Sequence, residues 1–132
     1  MALTNGISIF VDSLGNCRFP SGLNHALLTE AAAAITGWNL TLEDTKQIGL
    51  RAVHLMNVFN LRAGIRKDVD APSSRYGSTP VDGPTQGIGI AEHWDDMIRS
   101  YYTLMGWEAE TGKPLPKTLG ALGLNHIIRD IW

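Results

Sequence analysis

Residues 41–62 read TLEDTKQIGLRAVHLMNVFNLR, the clearest helical pattern in the first half of the chain. Thr41 can cap the N-terminus, because Asp44 stands at the capping-box offset and an acidic first turn suits the helix dipole. We expect the helix to run to about Arg62 and to be ended by Gly64. Apolar residues at helical intervals predict one buried face, whose members are Ile48, Ala52, Leu55, Met56 and Phe59.

Another apolar stripe precedes this stretch. Ser21 can cap a helix that starts just after Pro20 and that Gly37 ends. The residues predicted on its buried face are Leu23, Leu27, Ala31, Ala34, Ile35 and Trp38. Residues 1–11 are compatible with a strand or with the last turns of a helix.

The helical spacing of apolar residues stops after Gly64 and returns near Trp94. Residues from Arg66 to about Gly89 are rich in Gly, Pro, Ser and Asp, which predicts a long ordered loop or a linker. A third helical stripe, ended by Gly106, contains Trp94, Met97, Ile98, Tyr101, Leu104 and Met105. Pro116 suits the first turn of a short fourth helix. The last apolar surface is formed by Leu119, Leu122, Leu124, Ile127, Ile128 and Ile131.

These patterns predict a mainly α fold. Nowhere do β-branched residues alternate long enough to require a sheet. At 132 residues the chain is expected to form one small domain, residues 1–132, of about four helices with a long central loop.

Composition excludes several classes of protein. Apolar residues make up 44% and charged residues 18%, which argues against long disorder. A net charge of -2 and a pI near 6.0 argue against a nucleic-acid surface, which needs clustered Lys and Arg. No apolar run reaches the roughly 20 residues that cross a bilayer, and the N-terminus lacks the layout of a secretion signal. With one cysteine, the expected location is cytoplasmic, without a membrane or nucleic-acid partner.

The turn from Asp12 to Cys17 is the candidate site. Within six residues it places a carboxylate, a glycine that can adopt positive φ (Gly15) and the only thiol of the chain. Asp12 could accept two N–H donors from a heterocycle, although a turn-forming Asp is the commoner interpretation. A single cysteine is most often a small buried apolar residue, and it cannot fill a zinc site by itself.

The four histidines, His25, His54, His93 and His126, show no metal-binding spacing. Solvated or cap-satisfied side chains are therefore the better interpretation of all four. The aromatic residues Trp94, Tyr101, Tyr102 and Trp107 could form a stacking platform for bases. Because Trp94 and Tyr101 fall on the third stripe, core packing is favoured.

Several stretches, in the same order, resemble the C-terminal domain of the aldehyde:ferredoxin oxidoreductase family, the tungsten-pterin enzymes. The opening turn resembles that family's Asp-x-x-Gly-Leu-Cys motif, and Asn60-Leu61-Arg62-Ala63-Gly64 resembles its Asn-x-Arg-Glu-Gly. Arg66-Lys67-Asp68 with Asp70, Pro72 and Arg75 resembles the Arg-x-Asp…Pro-x-Arg segment that follows. The other matching stretches are Asp82-Gly83-Pro84, residues 96–102, Gly106-Trp107, Thr111-Gly112, Pro114 and Leu122-Gly123-Leu124. The similarity covers about residues 12–124.

The resemblance implies a role for the opening turn. Cys17 matches one thiolate ligand of a four-iron cluster (4Fe-4S), and Asp12, with Gly15 and Asn16, matches the turn that binds one pterin of a tungsten bis-pterin cofactor. It further implies oxidation of an aldehyde to a carboxylate, with ferredoxin as electron acceptor. The family's other three cluster cysteines have no counterpart here, so the chain is expected to be inactive alone. Asn16 and Ala63 depart from the family's apolar residue and Glu.

Three hypotheses follow, and they differ in what they predict for Cys17. A piece of a tungsten oxidoreductase predicts an exposed Cys17 and an exposed face that missing N-terminal domains would cover. A stand-alone helical interaction module predicts a buried Cys17. A subunit that completes the cluster site of a companion chain predicts a larger, cysteine-rich partner.

Overall fold

The structure is a computed structural model that describes residues 2–17, 19 and 24–132. Its α-helices in these ranges are α1 (Ala2–Ser13), α2 (His25–Thr36), α3 (Leu42–Arg62), α4 (Trp94–Met105) and α5 (Pro116–Ala121). Short 3-10 helices lie at Lys67–Asp70, Ala91–His93 and Asn125–Asp130. These ranges contain no strand, only an isolated antiparallel bridge between Trp107 and Pro114. The mainly α prediction is confirmed, and of the two interpretations of residues 1–11 the helical one holds for residues 2–11, which belong to α1.

Local chemistry fixes the helix ends. The Thr41 hydroxyl accepts from the Asp44 N–H at 3.1 Å, and the Asp44 carboxylate accepts from the Thr41 N–H at 2.8 Å, so the predicted capping box is present. Gly37 and Gly106 end α2 and α4 in the left-handed conformation, also as predicted.

The start of α2 differs from the predicted one. The helix begins at His25, and the Asn24 side chain caps it by accepting from the Leu27 N–H at 3.1 Å. The predicted cap Ser21 and the predicted stripe residue Leu23 lie outside the described residues. Asn caps as well as Ser, so a cap three residues later satisfies the same requirement.

A glycine pair fixes how α1 crosses α3. A Cβ atom on Gly49 would lie 1.7 Å from the Gly6 carbonyl oxygen, so the two backbones touch directly at this point. This contact determines which side of α3 faces α1. Thr45, Gly49 and His54 consequently face inward, together with Val58 and Leu61.

The predicted buried face of α3 is therefore wrong. Ile48, Leu55, Met56 and Phe59 are 39%, 42%, 57% and 72% exposed. The helix carries apolar residues on two sides, and periodicity alone does not say which side meets α1. We call Ile48, Ala52, Leu55, Met56 and Phe59 the outer stripe of α3.

The predicted face of α2 is wrong in the same way. Its buried residues are Thr29 and Ala32, of which Ala32 packs with Phe10 and Val11 at the end of α1. The exposed large apolar residues of the predicted face are Leu27, Ile35 and Trp38.

The carboxy-terminal apolar surface packs as predicted. Leu119, Leu122, Leu124 and Ile127 form a core cluster with Val58, and Ile128 and Ile131 pack against it.

The prediction for the third stripe is confirmed in part. Met105 is buried and Ile98 and Tyr101 are half-buried, but Met97 and Leu104 are exposed and Tyr102, outside the predicted stripe, is buried.

The segment between α3 and α4 is the predicted long loop. Apart from the 3-10 helices at its two ends, residues 71–90 form turns and bends. Arg66, just after α3, donates to the Leu61 and Ile65 carbonyls at 2.7 and 2.9 Å. The start of the loop is thereby tied back to the end of the helix.

Candidate functional site

The end of α1 carries the predicted turn. The Leu14 N–H donates to the Val11 carbonyl and the Gly15 N–H to the Asp12 carbonyl, each at 3.1 Å. Gly15 has φ of 66°, a conformation that residues with a Cβ rarely adopt. Val11 is buried and packs with Ala32 of α2. The turn therefore begins directly after a helix end that is held in the core.

Asp12, Asn16 and Cys17 are all exposed on this turn. The thiol is therefore not the buried apolar group that the commonest interpretation of a lone cysteine predicts. The exposure agrees with the hypothesis of an oxidoreductase piece and contradicts the module hypothesis, which predicted a buried Cys17. Asp12 shares a side of α1 with Asn5 and Ile9, because positions four and three apart stack on a helix.

Ligands for a metal ion do not cluster elsewhere. In residues 2–17, 19 and 24–132 there is no group of three or more His, Cys, Asp or Glu side chains that could hold a metal. Cys17 is the only cysteine of the sequence. A four-iron cluster is usually held by four thiolates, more than this single cysteine can supply.

A cavity of about 280 Å³, lined by both polar and apolar side chains, lies between α1, α3, α4 and the loop. Several of the stretches that resemble the oxidoreductase family meet there, although they are scattered along the sequence. The lining residues that they contribute include Leu61, Arg66, Asp70, Tyr102, Trp107 and Gly112. Asn57 on α3 donates to the Gly112 carbonyl at 2.9 Å and so ties one of these stretches to α3.

Two tyrosines complete the wall of the cavity. The Asn5 amide donates to the Tyr101 hydroxyl at 2.6 Å, and the Tyr102 hydroxyl donates to the Asp70 carboxylate. Burial, followed by the hydrogen bond to Asp70, strongly raises the pKa of Tyr102. Burial also raises the pKa of Tyr101, partly offset by the Asn5 hydrogen bond. Both phenols are therefore neutral hydrogen-bonding groups at neutral pH.

Sequence reasoning missed this network. Asp70 and Tyr102 are 32 residues apart, and no local pattern pairs them. Their membership in two of the stretches that resemble the family was the only available signal. The expected core packing of the aromatic residues is confirmed for Tyr102 and Trp107, whose ring centroids lie 5.7 Å apart.

The four histidines differ in their surroundings. His93 and His126 are exposed, as expected. His25 is half-buried, and its buried Nδ1 has no hydrogen-bond partner among the described residues, so the prediction of a solvated or capping side chain is wrong for it. His54 is buried rather than solvated, and it contacts the last carbonyl of α4, in agreement with the capping alternative. Its Nδ1 lies 2.7 Å from the Leu50 carbonyl oxygen and its Nε2 lies 3.1 Å from that of Met105, so the ring links α3 to the end of α4.

None of the described helices is long and apolar enough to cross a membrane.

Comparison with known protein families gives one match. The family described as aldehyde ferredoxin oxidoreductase, domains 2 and 3, matches residues 2–124. No solved structure matches the chain.

Individual relatives agree with the family match. A tungsten-containing aldehyde ferredoxin oxidoreductase of Pyrococcus furiosus is 31% identical over 127 residues, covering 94% of this chain and 20% of the relative. The enzyme of the same name from Pyrococcus abyssi is 30% identical over 96% of this chain and 21% of the relative. The WOR-like subunit of an aliphatic sulfonate oxidoreductase of Pyrococcus furiosus is 30% identical over 95% and 21%. The chain thus spans about a fifth of the length of these relatives.

Proposed function

Because the chain belongs to the aldehyde ferredoxin oxidoreductase family, we propose that it is the C-terminal part of a tungsten-pterin, iron-sulfur aldehyde oxidoreductase. In this proposal the turn after α1 is one edge of the cofactor site. Cys17 supplies one thiolate of a 4Fe-4S cluster, and Asp12 binds a pterin. The observation that carries the proposal is the exposed thiol of Cys17 at the end of a glycine turn.

The chemistry of Cys17 suits the assigned role. A thiolate is the usual ligand of an iron-sulfur cluster, and a ligand shared with another polypeptide segment must lie at the surface. Since the described residues offer one such ligand, the other three thiolates come from outside them. The isolated chain is accordingly expected to hold neither iron nor tungsten and to be inactive.

Asp12 suits a pterin for a different reason. An ionised carboxylate accepts two hydrogen bonds at once, and a pterin ring presents adjacent N–H donors. The side chain stands in the last turn of α1, three residues before Gly15. Asn16, which replaces the apolar residue of the family motif, adds an exposed amide that can donate and accept beside the same ring.

When bound, the tungsten cofactor supplies the oxidation of an aldehyde and water to a carboxylate, with two electrons released. The part of this chain is to hold the cluster and the pterin close together. Asp12 and Cys17 stand at opposite ends of one short turn, so these two side chains would hold a pterin and a cluster close to each other. Such a placement would shorten the route of the released electrons toward ferredoxin.

The proposal is tested by co-producing the full chain with the Pyrococcus furiosus relative cut before the matched segment. We expect the purified complex to contain about four iron atoms and one tungsten per pair of polypeptides. Cys17→Ser should remove most of the iron, and Asp12→Asn should lower the tungsten content. Ser13→Ala, an exposed neighbour in the same turn, serves as the matched control and should change neither.

Two outcomes would contradict the proposal. Undiminished iron in the Cys17→Ser complex would remove Cys17 from the cluster. Stoichiometric iron and tungsten in the chain purified alone would show a complete site within it, and the role of an incomplete edge would be lost.

A further inference from the structure

The outer stripe of α3 leaves this helix with two apolar sides. Its inner side packs through Gly49, His54 and Val58, while the outer stripe faces solvent. A contiguous apolar patch that is left exposed, unlike a single exposed apolar residue, marks a contact surface. In the described part of the chain only the inner side is covered.

The outer stripe also borders a groove. Leu55, Met56 and Phe59 form one wall, Ile127 forms the other, and the space between them is about 510 Å³. An ion pair between Arg62 and Asp130, with 3.3 Å between nitrogen and oxygen, stands at its edge. Apolar walls with a charged rim are the usual anatomy of a protein interface.

The relatives point to an occupant. About four-fifths of their length lies outside the segment that this chain matches. That length must contact the matched segment at some surface, and a stable interface needs a contiguous apolar centre. The outer stripe and its groove provide such a centre.

The stripe is connected to the cofactor edge through α2. This helix begins eight residues after Cys17, and its Ala32 packs with Val11 at the end of α1. Thr29 of α2 lies 3.3 Å from Thr45 of α3, oxygen to oxygen, and Ile48 follows Thr45 by one helical turn. A polypeptide that contacts Cys17 therefore lies close to α2, and α2 packs beside the part of α3 in which the stripe begins.

We propose that the outer stripe of α3, with its groove, is the docking surface for the amino-terminal four-fifths of a tungsten oxidoreductase, carried either on the same polypeptide or on a companion chain. The inference rests on the proposed function for the identity of the occupant. The inference goes beyond the proposed function, because it assigns the contact to a surface that holds none of the cofactor residues.

The test uses the same two polypeptides and measures association. Leu55→Glu and Phe59→Glu place a charge in the centre of the stripe and should weaken co-purification more than tenfold. Leu42→Glu at the start of α3 is the matched control, because Leu42 is 46% exposed, close to the 42% of Leu55, and lies outside the stripe and its groove, and it should leave association unchanged. Circular dichroism and thermal unfolding of each variant chain should match the wild type, since the replaced side chains are exposed.

The two proposals fail in different ways. If Cys17→Ser keeps both association and iron while the stripe variants dissociate, the cofactor role is lost and the docking surface stands. If the stripe variants co-purify like the wild type, or if the wild-type chain stays separate from the relative, the docking proposal is overturned. Self-association of the chain that Phe59→Glu abolishes would also overturn it, because the occupant would then be a second copy.

Discussion

The outer stripe of α3 and the carboxy-terminal core have the same kind of sequence and opposite environments. Both are series of closely spaced apolar residues. Leu55 in the stripe is 42% exposed, whereas Leu119 in the core is 0% exposed. The difference shows that amphipathic spacing identifies faces that need a partner, but not whether the partner lies within the same segment of chain.

The physical reason lies in which side of α3 meets a partner. The carboxy-terminal residues pack against Val58 on the inner side of α3, so their partner lies within the described residues although it is distant in sequence. The outer stripe points away from α1, because the Gly6–Gly49 contact brings the other side of α3 against it. Its apolar surface is left for a contact outside the described residues.

The largest expected difference comes from the same substitution made in both regions. Leu119→Ala removes a fully buried side chain and should lower the free energy of unfolding by about 2–5 kcal/mol. Leu55→Ala should change it by less than about 0.5 kcal/mol in the isolated chain. Urea unfolding followed by circular dichroism measures both. Equal losses would mean that the outer stripe is buried within the isolated chain and that the contrast between the regions is false.

The inner side of α3 can be tested separately through its buried histidine. His54→Phe keeps a ring of similar shape but leaves the Met105 carbonyl without the imidazole that lies 3.1 Å from it. An unsatisfied buried carbonyl should lower the free energy of unfolding by about 1–3 kcal/mol.

His126→Phe is the control for that substitution, because His126 is exposed. It should stay within about 0.5 kcal/mol of the wild type. If the two variants unfold at the same urea concentration, the link that His54 makes between α3 and α4 contributes nothing to stability.

Most helix ends, though not the start of α2, could be predicted from sequence because neighbouring residues determine them. Thr41 and Asp44 are three residues apart and cap α3. Gly37 and Gly106 end their helices by their own backbone conformation, and Pro116 stands in the first turn of α5. The Asp12–Cys17 turn was predictable for the same reason, since Gly15 supplies its positive φ. The choice of buried face was not, because Gly6 and Gly49 meet across two helices. The exposure of Cys17 likewise depends on where α1 ends relative to α2, which no local pattern encodes.

The smallest expected effect concerns a buried and an exposed tyrosine at alkaline pH. Burial and the Asp70 hydrogen bond raise the pKa of Tyr102 above the value near 10 of a tyrosine in the unfolded chain. Between these values the unfolded state loses the phenolic proton while the folded state keeps it. The stabilisation is therefore complete below about pH 10 and is lost as pH rises toward the folded pKa.

From pH 9 to pH 11 the wild type should lose about 1.4 kcal/mol more than Tyr102→Phe. The raised pKa of Tyr101 acts in both proteins and cancels from the difference. Tyr76→Phe replaces a tyrosine that is 77% exposed, so it should retain the full wild-type loss. Urea titrations at the two pH values measure the difference, and an equal loss in wild type and Tyr102→Phe would show that the Tyr102 phenol titrates alike in the folded and unfolded states.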